Sequence, residues 1–374
     1  MSRKILVIPD KFKGTLDASK VAEIISESWL QVHPMDQITR IPMSDGGDGF
    51  GIVMGNAIQA KPVGVKTVDA ANRPISAVIW YNEARATAVI ETAESNGLAR
   101  LPKGTHHPFD LDTRGLGNLW KKAVDLGAKS ILAGIGGSAT NDGGFGLAGS
   151  LGWRFLDGKQ NEIQSWPKLV ELRHIIRPES SDLPECKVAV DVRNPLTGPQ
   201  GAGRIYGPQK GLRPADFDLA DAALDRLAEV VLQELGLDLA QTPGAGAAGG
   251  LGFGLMAFLG AKPAPGFEVF AKAVQLEKLL KTADLVITAE GAMDRQTLMG
   301  KCLGELAVEC HKLQVPCIAL TGYLGERELL ADKRNLFSQV HSVSPDLTTP
   351  EESCSRPEYW LSKLVKQVAA DFHQ

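Results

Sequence analysis

Ser130-Ile-Leu-Ala-Gly-Ile-Gly-Gly-Ser-Ala-Thr-Asn-Asp-Gly-Gly-Phe-Gly146 passes from an apolar run into a glycine-rich loop, and Leu147-Ala-Gly-Ser-Leu-Gly152 then opens a helical pattern. Strand, glycine turn and helix in that order form the repeating unit of an α/β sheet. Six glycines between Gly134 and Gly146 leave backbone N–H groups uncovered, while Ser138, Thr140, Asn141 and Asp142 add hydroxyls, an amide and a carboxylate. Such a loop at a helix N-terminus suits a phosphate, because orphan N–H groups and the helix dipole favour an anion. A tight turn between buried elements explains the same glycines, so the loop alone leaves both readings open. It is not a P-loop. Gly300-Lys301 is followed by Cys302 instead of Ser or Thr, and Arg295 stands in the place of the leading glycine. The spacing of Gly134, Gly136 and Ser138-Ala139 also misses the dinucleotide pattern.

Working outward, the N-terminal run Lys4-Ile-Leu-Val-Ile-Pro9 predicts a strand ending at Asp10, followed by a helix from Asp17 to about Val32. Residues Gln37 to Pro42 predict a second strand, which ends at Asp45-Gly-Gly-Asp-Gly49 before a helix to about Ala60. Between 62 and 95 the pattern changes to alternation in Val63–Asp69, Ile75–Trp80 and Ala86–Glu91, as in hairpin strands. A strand over Lys187–Asp191 and a helix over Phe217–Leu235 follow. Beyond Gly244–Gly252 the parallel pattern returns, with strands over Ala283–Thr288, Val315–Leu320 and Val340–Ser344 and helices over Lys301–Leu313 and Glu358–Phe372. The fold class is therefore α/β. Both chain ends, 1–65 and 270–374, build one parallel-sheet domain, and 66–269 forms an inserted mixed α/β domain with the glycine-rich loops.

The chain of 374 residues is long enough for two such domains. A net charge of −4 without basic runs gives no electrostatic case for nucleic acid or an anionic membrane. No apolar run reaches the length of a membrane span. The five cysteines are odd in number and show no CxxC pair, which points to reduced thiols in a cytoplasm instead of a disulfide or zinc framework. Forty glycines exceed the usual share of roughly 7%, and they gather at the ends of apolar runs.

Asp10, Asp45, Asp191 and Glu290 each stand where a strand is predicted to give way to a loop. Ligands of open parallel sheets bind at the carboxyl ends of strands. Carboxylates gathered there call for a cation, and Mg²⁺ suits hard oxygen ligands and substrate phosphates. Each carboxylate taken singly is as well explained by a helix cap or a turn. Lys13, Lys210 and Lys301 lie in glycine-flanked loops. A phosphate cradle, a metal, a cation and a carboxylate to accept a hydroxyl proton are the requirements of phosphoryl transfer.

Several separated segments resemble the type-1 glycerate kinases. They are Pro9-Asp10 with Phe12-Lys13-Gly14, Asp45–Gly49, Gly136–Gly144, Asp191–Gly198, Gly207–Gly211, Pro243–Gly252 and Glu290–Lys301, in the family's order and across nearly the whole chain. The resemblance implies a flavodoxin-like domain and a domain likened to a restriction-endonuclease fold. It also implies transfer from ATP, with Mg²⁺, to D-glycerate, with 2-phosphoglycerate as product, in a cleft between the domains. A 3-phosphoglycerate product, or another small sugar acid as substrate, stands as the alternative. A non-catalytic sensor would keep the loops but needs no base, and every candidate carboxylate is present. Phe145, Lys11, Ala292, Leu303, Arg114 and Leu116 depart from the residues usual in the family.

On this reading the catalytic set is Asp191, Lys13, Asp10, Glu290 and Lys301, with Asp191 the first choice for the base. Gly136, Gly137, Ser138, Thr140 and Asn141 are assigned to the phosphates of ATP. Asp45, Asn194, Asp294 and Gln296 are assigned to glycerate, and Asp191, Glu290 and Asp45 to the metal. A small-molecule enzyme acting in the cytoplasm, alone or as a homodimer, is expected.

Overall fold

The computed structural model describes residues 2–179, 182–293, 302–325 and 336–372. Along the chain the strands are β1 (Lys4–Val7), β2 (Gln37–Arg40), β3 (Lys61–Val68), β4 (Pro74–Asn82), β5 (Thr87–Glu91), β6 (Ser130–Gly134), β7 (Arg154–Asp157), β8 (Leu172–Ile176), β9 (Glu185–Ala189), β10 (Lys262–Ala264), β11 (Leu285–Met293), β12 (Cys317–Leu324) and β13 (Gln339–Ser344). The chain divides into two compact units, one of residues 1–45 with 267–374 and the other of residues 46–266.

In the first unit five strands pair in parallel in the order β13-β12-β11-β1-β2. Read in chain order this is 2-1-3-4-5, the flavodoxin-like arrangement. The inner strands β1, β11 and β12 are rich in apolar residues because a parallel sheet is covered on its faces, whereas the edge strands β2 and β13 are more polar. Ile5 and Val7 lie opposite Leu285 and Ile287, and all four are buried. The helix Ala18–Val32 begins where the Asp17 side chain accepts the Lys20 N–H at 2.8 Å. Its Val21, Ile25 and Trp29 pack with Leu361, Val365 and Val368 of the helix Pro357–Asp371 over the sheet. The helix Cys302–Lys312 buries Leu306 and Ala307 and lies against β11 and β12.

The second unit holds a six-stranded sheet ordered β10-β9-β6-β5-β4-β3. Strands β10, β9, β6 and β5 run parallel, and β5, β4 and β3 continue as an antiparallel meander. A separate pair, β7 with β8, packs beneath the helix Phe217–Leu235. Trp120, Trp166, Phe155 and Phe253 are buried in the core of this unit.

Two expectations shift. Residues 46–65 belong to the second unit and not to the terminal sheet. The physical reason is local packing. Gly55 lies against the Trp80 ring, Gly134 lies against the Phe50 ring, and β3 pairs with β4 from Lys61 to Val68. Glu290 is not beyond its strand, because β11 continues through Glu290↔Thr321, Ala292↔Tyr323 and Met293↔Leu324.

Candidate active site

The topological switch of the first sheet falls between β1 and β11, where ligands of this architecture bind. Beyond the end of β1, Ile8 and Asp10 donate their N–H groups to Ile287 and Ala289 O, both at 2.8 Å. Asp10 is thereby set beside Glu290. The Met43 N–H bonds Pro9 O at 2.8 Å and brings the segment leading to Asp45 to the same edge. After Asp10 the chain turns tightly, with Phe12 N–H on Leu16 O at 2.8 Å and Gly14 at φ 82°. Gly291 lets β11 lie flat on this turn, since a Cβ there would stand 2.9 Å from Phe12 Cα and 3.2 Å from Lys13 N. Asp10, Lys13, Asp45 and Glu290 are thus gathered at one carboxyl edge, with Lys13 exposed. Asp294, Gln296 and Lys301 lie outside the described residues.

In the second unit β5, β6 and β9 end side by side at Glu91↔Gly134↔Ala189. Glu91 accepts the N–H groups of Gly49 and Gly51 at 3.0 and 2.9 Å, at the start of the helix Phe50–Ala57. Burial raises its pKa, against those two hydrogen bonds. Gly46 packs on Ala189 and accepts the Gly136 N–H at 2.9 Å, so the two glycine loops lie face to face. A third glycine segment closes from the other side. Gly143 donates to Gly249 O at 3.2 Å, and a Cβ at Gly249 or Gly254 would strike the backbone of residues 140–144. Ala248, Gly249 and Gly250 take left-handed φ of 54°, 73° and 84° to make that approach.

Much of the glycine richness therefore serves close packing of backbone on backbone. The helix after the loop, Phe145–Ser150, is short, and its start is already capped by an anion. The Asp142 carboxylate is fully buried and accepts Thr113 N at 2.9 Å, Thr113 Oγ1 at 2.7 Å and Gly146 N at 2.9 Å. Burial and, after it, the neighbouring Asp112 push its pKa upward. The seat expected for a phosphate at the helix N-terminus is thus filled by the chain's own carboxylate.

What the loop leaves open lies earlier. Gly137 is exposed and Gly136 partly so. The hydroxyls of Ser138 and Thr140 share a hydrogen bond of 3.0 Å and both accept from Asn96 Nδ2 at 3.3 Å. Asn141 is buried, and neither Oδ1 nor Nδ2 of its amide has a hydrogen-bond partner among the described residues. Lys210 is buried as well and donates from Nζ to Thr140 O at 2.7 Å. Burial pulls its pKa down to about 7, with Asp142 opposing the shift.

Asp191 stands two residues past β9, exposed, with Oδ1 accepting the Gly266 N–H at 2.6 Å. Asn194 uses both ends of its amide within the protein, Nδ2 on Gln200 O at 2.8 Å and Oδ1 from Tyr206 at 2.7 Å. It holds the 194–206 segment together. Among the described residues no group of three Asp, Glu, His or Cys side chains could cage a metal ion. Of the residues assigned to the metal, Asp45 and Glu290 belong to the first unit and Asp191 to the second. One oxygen of Asp191 is already bonded to Gly266, and Mg²⁺ itself is commonly held by one or two carboxylates, waters and substrate phosphates.

Sequence reasoning noted Asp142 and Lys210 without assigning either a role, and did not single out Glu91, Asn96 or Thr113, whose hydrogen bonds support the glycine loops. The signals were the place of Asp142 in the glycine-rich loop and that of Lys210 between Gly207 and Gly211. Of the residues unusual for the resemblance, Phe145 is buried against Phe155 at 4.9 Å between ring centroids, and Leu116 and Leu303 are core residues. Arg114 is held by Asp112 through Nε contacts of 3.0 and 2.8 Å.

A sequence model of the Glycerate kinase family matches residues 5–373. The glycerate kinase of Halalkalibacterium halodurans is 37% identical over 370 residues, covering 98% of this chain and 97% of that protein. The glycerate 2-kinase of Escherichia coli is 38% identical over 371 residues, with the same two coverages of 98% and 97%. A crystal structure from Salmonella typhimurium, described as a glycerate kinase 2, superposes with a TM-score of 0.86 at 34% identity, covering 99% of this chain and 98% of that one. No helix among the described residues is long and apolar enough to cross a membrane.

Proposed function

The chain belongs to the glycerate kinase family, and on that premise we propose that it transfers the γ-phosphoryl group of ATP to the 2-hydroxyl of D-glycerate. The observation that carries the reading is the gathering of Asp10, Lys13, Asp45 and Glu290 at the switch point of a 2-1-3-4-5 sheet. In the reaction the glycerate oxygen forms a bond to phosphorus as the bond from phosphorus to the ADP oxygen breaks. The hydroxyl proton passes to a carboxylate, for which Asp191 is our choice. It is exposed and stands two residues past the end of β9. Lys13 supplies positive charge to the transferring group or to the glycerate carboxylate, and Lys301, Asp294 and Gln296 are assigned to the same substrates.

Gly136 and Gly137 present the open edge of the glycine-rich loop to phosphate, and Ser138, Thr140 and the buried Asn141 amide behind that edge are assigned to the same phosphates, with the Ser138 and Thr140 hydroxyls bonded to each other. Asp191, Glu290 and Asp45 remain the residues assigned to Mg²⁺, which takes one or two hard carboxylate oxygens together with waters and substrate phosphates and, when bound, would offset the charge of the phosphates. Five free cysteines, four of them buried, suit a reducing cytoplasm.

Glycerate is favoured over a longer sugar acid because Phe145, one of the departures from the residues usual in the family, packs in the core against Phe155. The test is ADP release from purified protein with ATP, Mg²⁺ and D-glycerate, the product then being offered to enolase. Glycerate-dependent ADP and a product consumed directly by enolase are expected. A product that enolase ignores would mean the 3-phosphate, and no glycerate-dependent release would defeat the substrate assignment.

A further inference from the structure

Asn141 is held between two anchored neighbours. On one side Thr140 O accepts Lys210 Nζ at 2.7 Å. On the other, the Asp142 carboxylate ties the chain to Thr113 and Gly146. The Asn141 amide between them is buried with both polar ends unpartnered among the described residues. Buried amides are almost always hydrogen-bonded, so one held open this way marks a place where a ligand completes the bonding.

Lys210 needs an explanation of its own. It is the last residue of the helix Ala202–Lys210, which Gly211 ends at φ 105°, and only 6% of it is exposed. Burying an ammonium is costly, and an apolar side chain of similar shape would fill the same space at least as well. The charged group facing it is Asp142, with Asp112 and its partner Arg114 behind. Packing does not account for a lysine here. The bond to Thr140 O does, because it fixes the peptide that precedes Asn141.

We propose that Lys210 is a positioning residue. By holding the Thr140 carbonyl it sets the orientation in which Asn141 and the Gly136–Ser138 turn meet the phosphates of ATP. The inference rests on the ATP-dependent reading above. It also assigns a purpose to the glycine-flanked segment Gly207–Gly211.

The test compares wild type with K210M and K210Q. K210M removes the donor and the charge but keeps the volume, and K210Q keeps an N–H donor. A positioning role predicts that K210M folds with a thermal midpoint at or above that of wild type at neutral pH. Its KM for ATP rises about tenfold, while KM for glycerate changes much less. K210Q recovers part of the ATP affinity. A folded K210M whose KM for ATP and kcat stay within about twofold of wild type overturns the proposal. So does a parallel loss of stability and activity in K210M that K210Q does not relieve, which would make Lys210 merely structural. If wild type shows no glycerate-dependent ADP release, the functional reading has failed by itself. Calorimetry with MgATP then decides on Lys210: weaker binding by K210M supports the role, equal binding overturns it, and no binding by wild type overturns both.

Discussion

The carboxylate of Asp142 accepts the backbone N–H of Gly146 at 2.9 Å and so caps, from within the loop, the helix that the loop leads into. Glycine-rich loops that bind phosphate leave such N–H groups to the ligand. Here they are bonded to an internal anion, and the open part of the loop moves upstream to Gly136 and Gly137.

Truncating Asp142 is therefore expected to cost stability more than chemistry. D142A would lose the bonds to Thr113 and Gly146 and leave Lys210 facing no carboxylate, for a loss of about 3 kcal/mol. D142N keeps one acceptor oxygen, and the upward-shifted pKa says the site does not favour the charge, so it should lose clearly less. Urea unfolding midpoints check both. A D142A midpoint equal to that of wild type would show that the cap contributes nothing.

Lys210 gives a pH signature. Its folded pKa is about 7 against 10.5 for the free side chain, because burial disfavours the ammonium. Between those values the unfolded chain holds a proton that the folded chain does not, so folding stability rises with pH across that window. Below about 7 the full cost of charging the buried group is present. The thermal midpoint of K210M should exceed that of wild type most at acid and neutral pH, and the difference should shrink as pH approaches 10.5. A difference that stays constant with pH would contradict a titrating lysine at this position.

The terminal sheet was largely legible because its inner strands open on apolar runs such as Ile5–Val7 and Leu285–Ile287 and its first helix carries the cap Asp17. Pairing Glu290 with Thr321 extends β11 past the point where Thr288 and Gly291 suggested a stop, since polar residues in a strand give no sign that their neighbour strand continues. The crossing between units at residue 45 was harder to read. A turn as glycine-rich as Asp45–Gly49 says that the chain bends, not which sheet the next helix joins, and contacts such as Gly55 on Trp80 decide that. Lys210 was noticed yet left aside, because lysines are rarely buried and nothing in sequence announces the Thr140 carbonyl that holds this one.

Gly291 and Gly64 form a matched pair of tests. Alanine at 291 would bring a Cβ to 2.9 Å from Phe12 Cα and force the Phe12–Lys13 turn off β11. A shift of that turn displaces Lys13, so G291A should lower kcat/KM by roughly tenfold to a hundredfold. Its stability cost is about 1–3 kcal/mol. Alanine at 64, in β3, meets nothing within 4 Å and should leave activity unchanged. Kinetics on both variants decide. Equal activity of G291A and G64A would mean that the turn does not position a reacting group.

The sharpest question concerns the proton. Asp191 bonds Gly266 N–H through Oδ1, and asparagine can keep an oxygen in that place while losing the ability to take a proton. D191N should therefore fold like wild type but lose about 10²- to 10⁴-fold in kcat, the range that a general base contributes. KM for ATP should move little, because Asp191 is assigned to the hydroxyl and not to the nucleotide. D191A would instead lose the Gly266 contact along with the base, so a loss seen in D191A but not in D191N would identify Asp191 as a structural cap. A near-normal rate in both would move the base to another carboxylate. Asp10 and Glu290, set side by side at the switch point, are then the next to substitute.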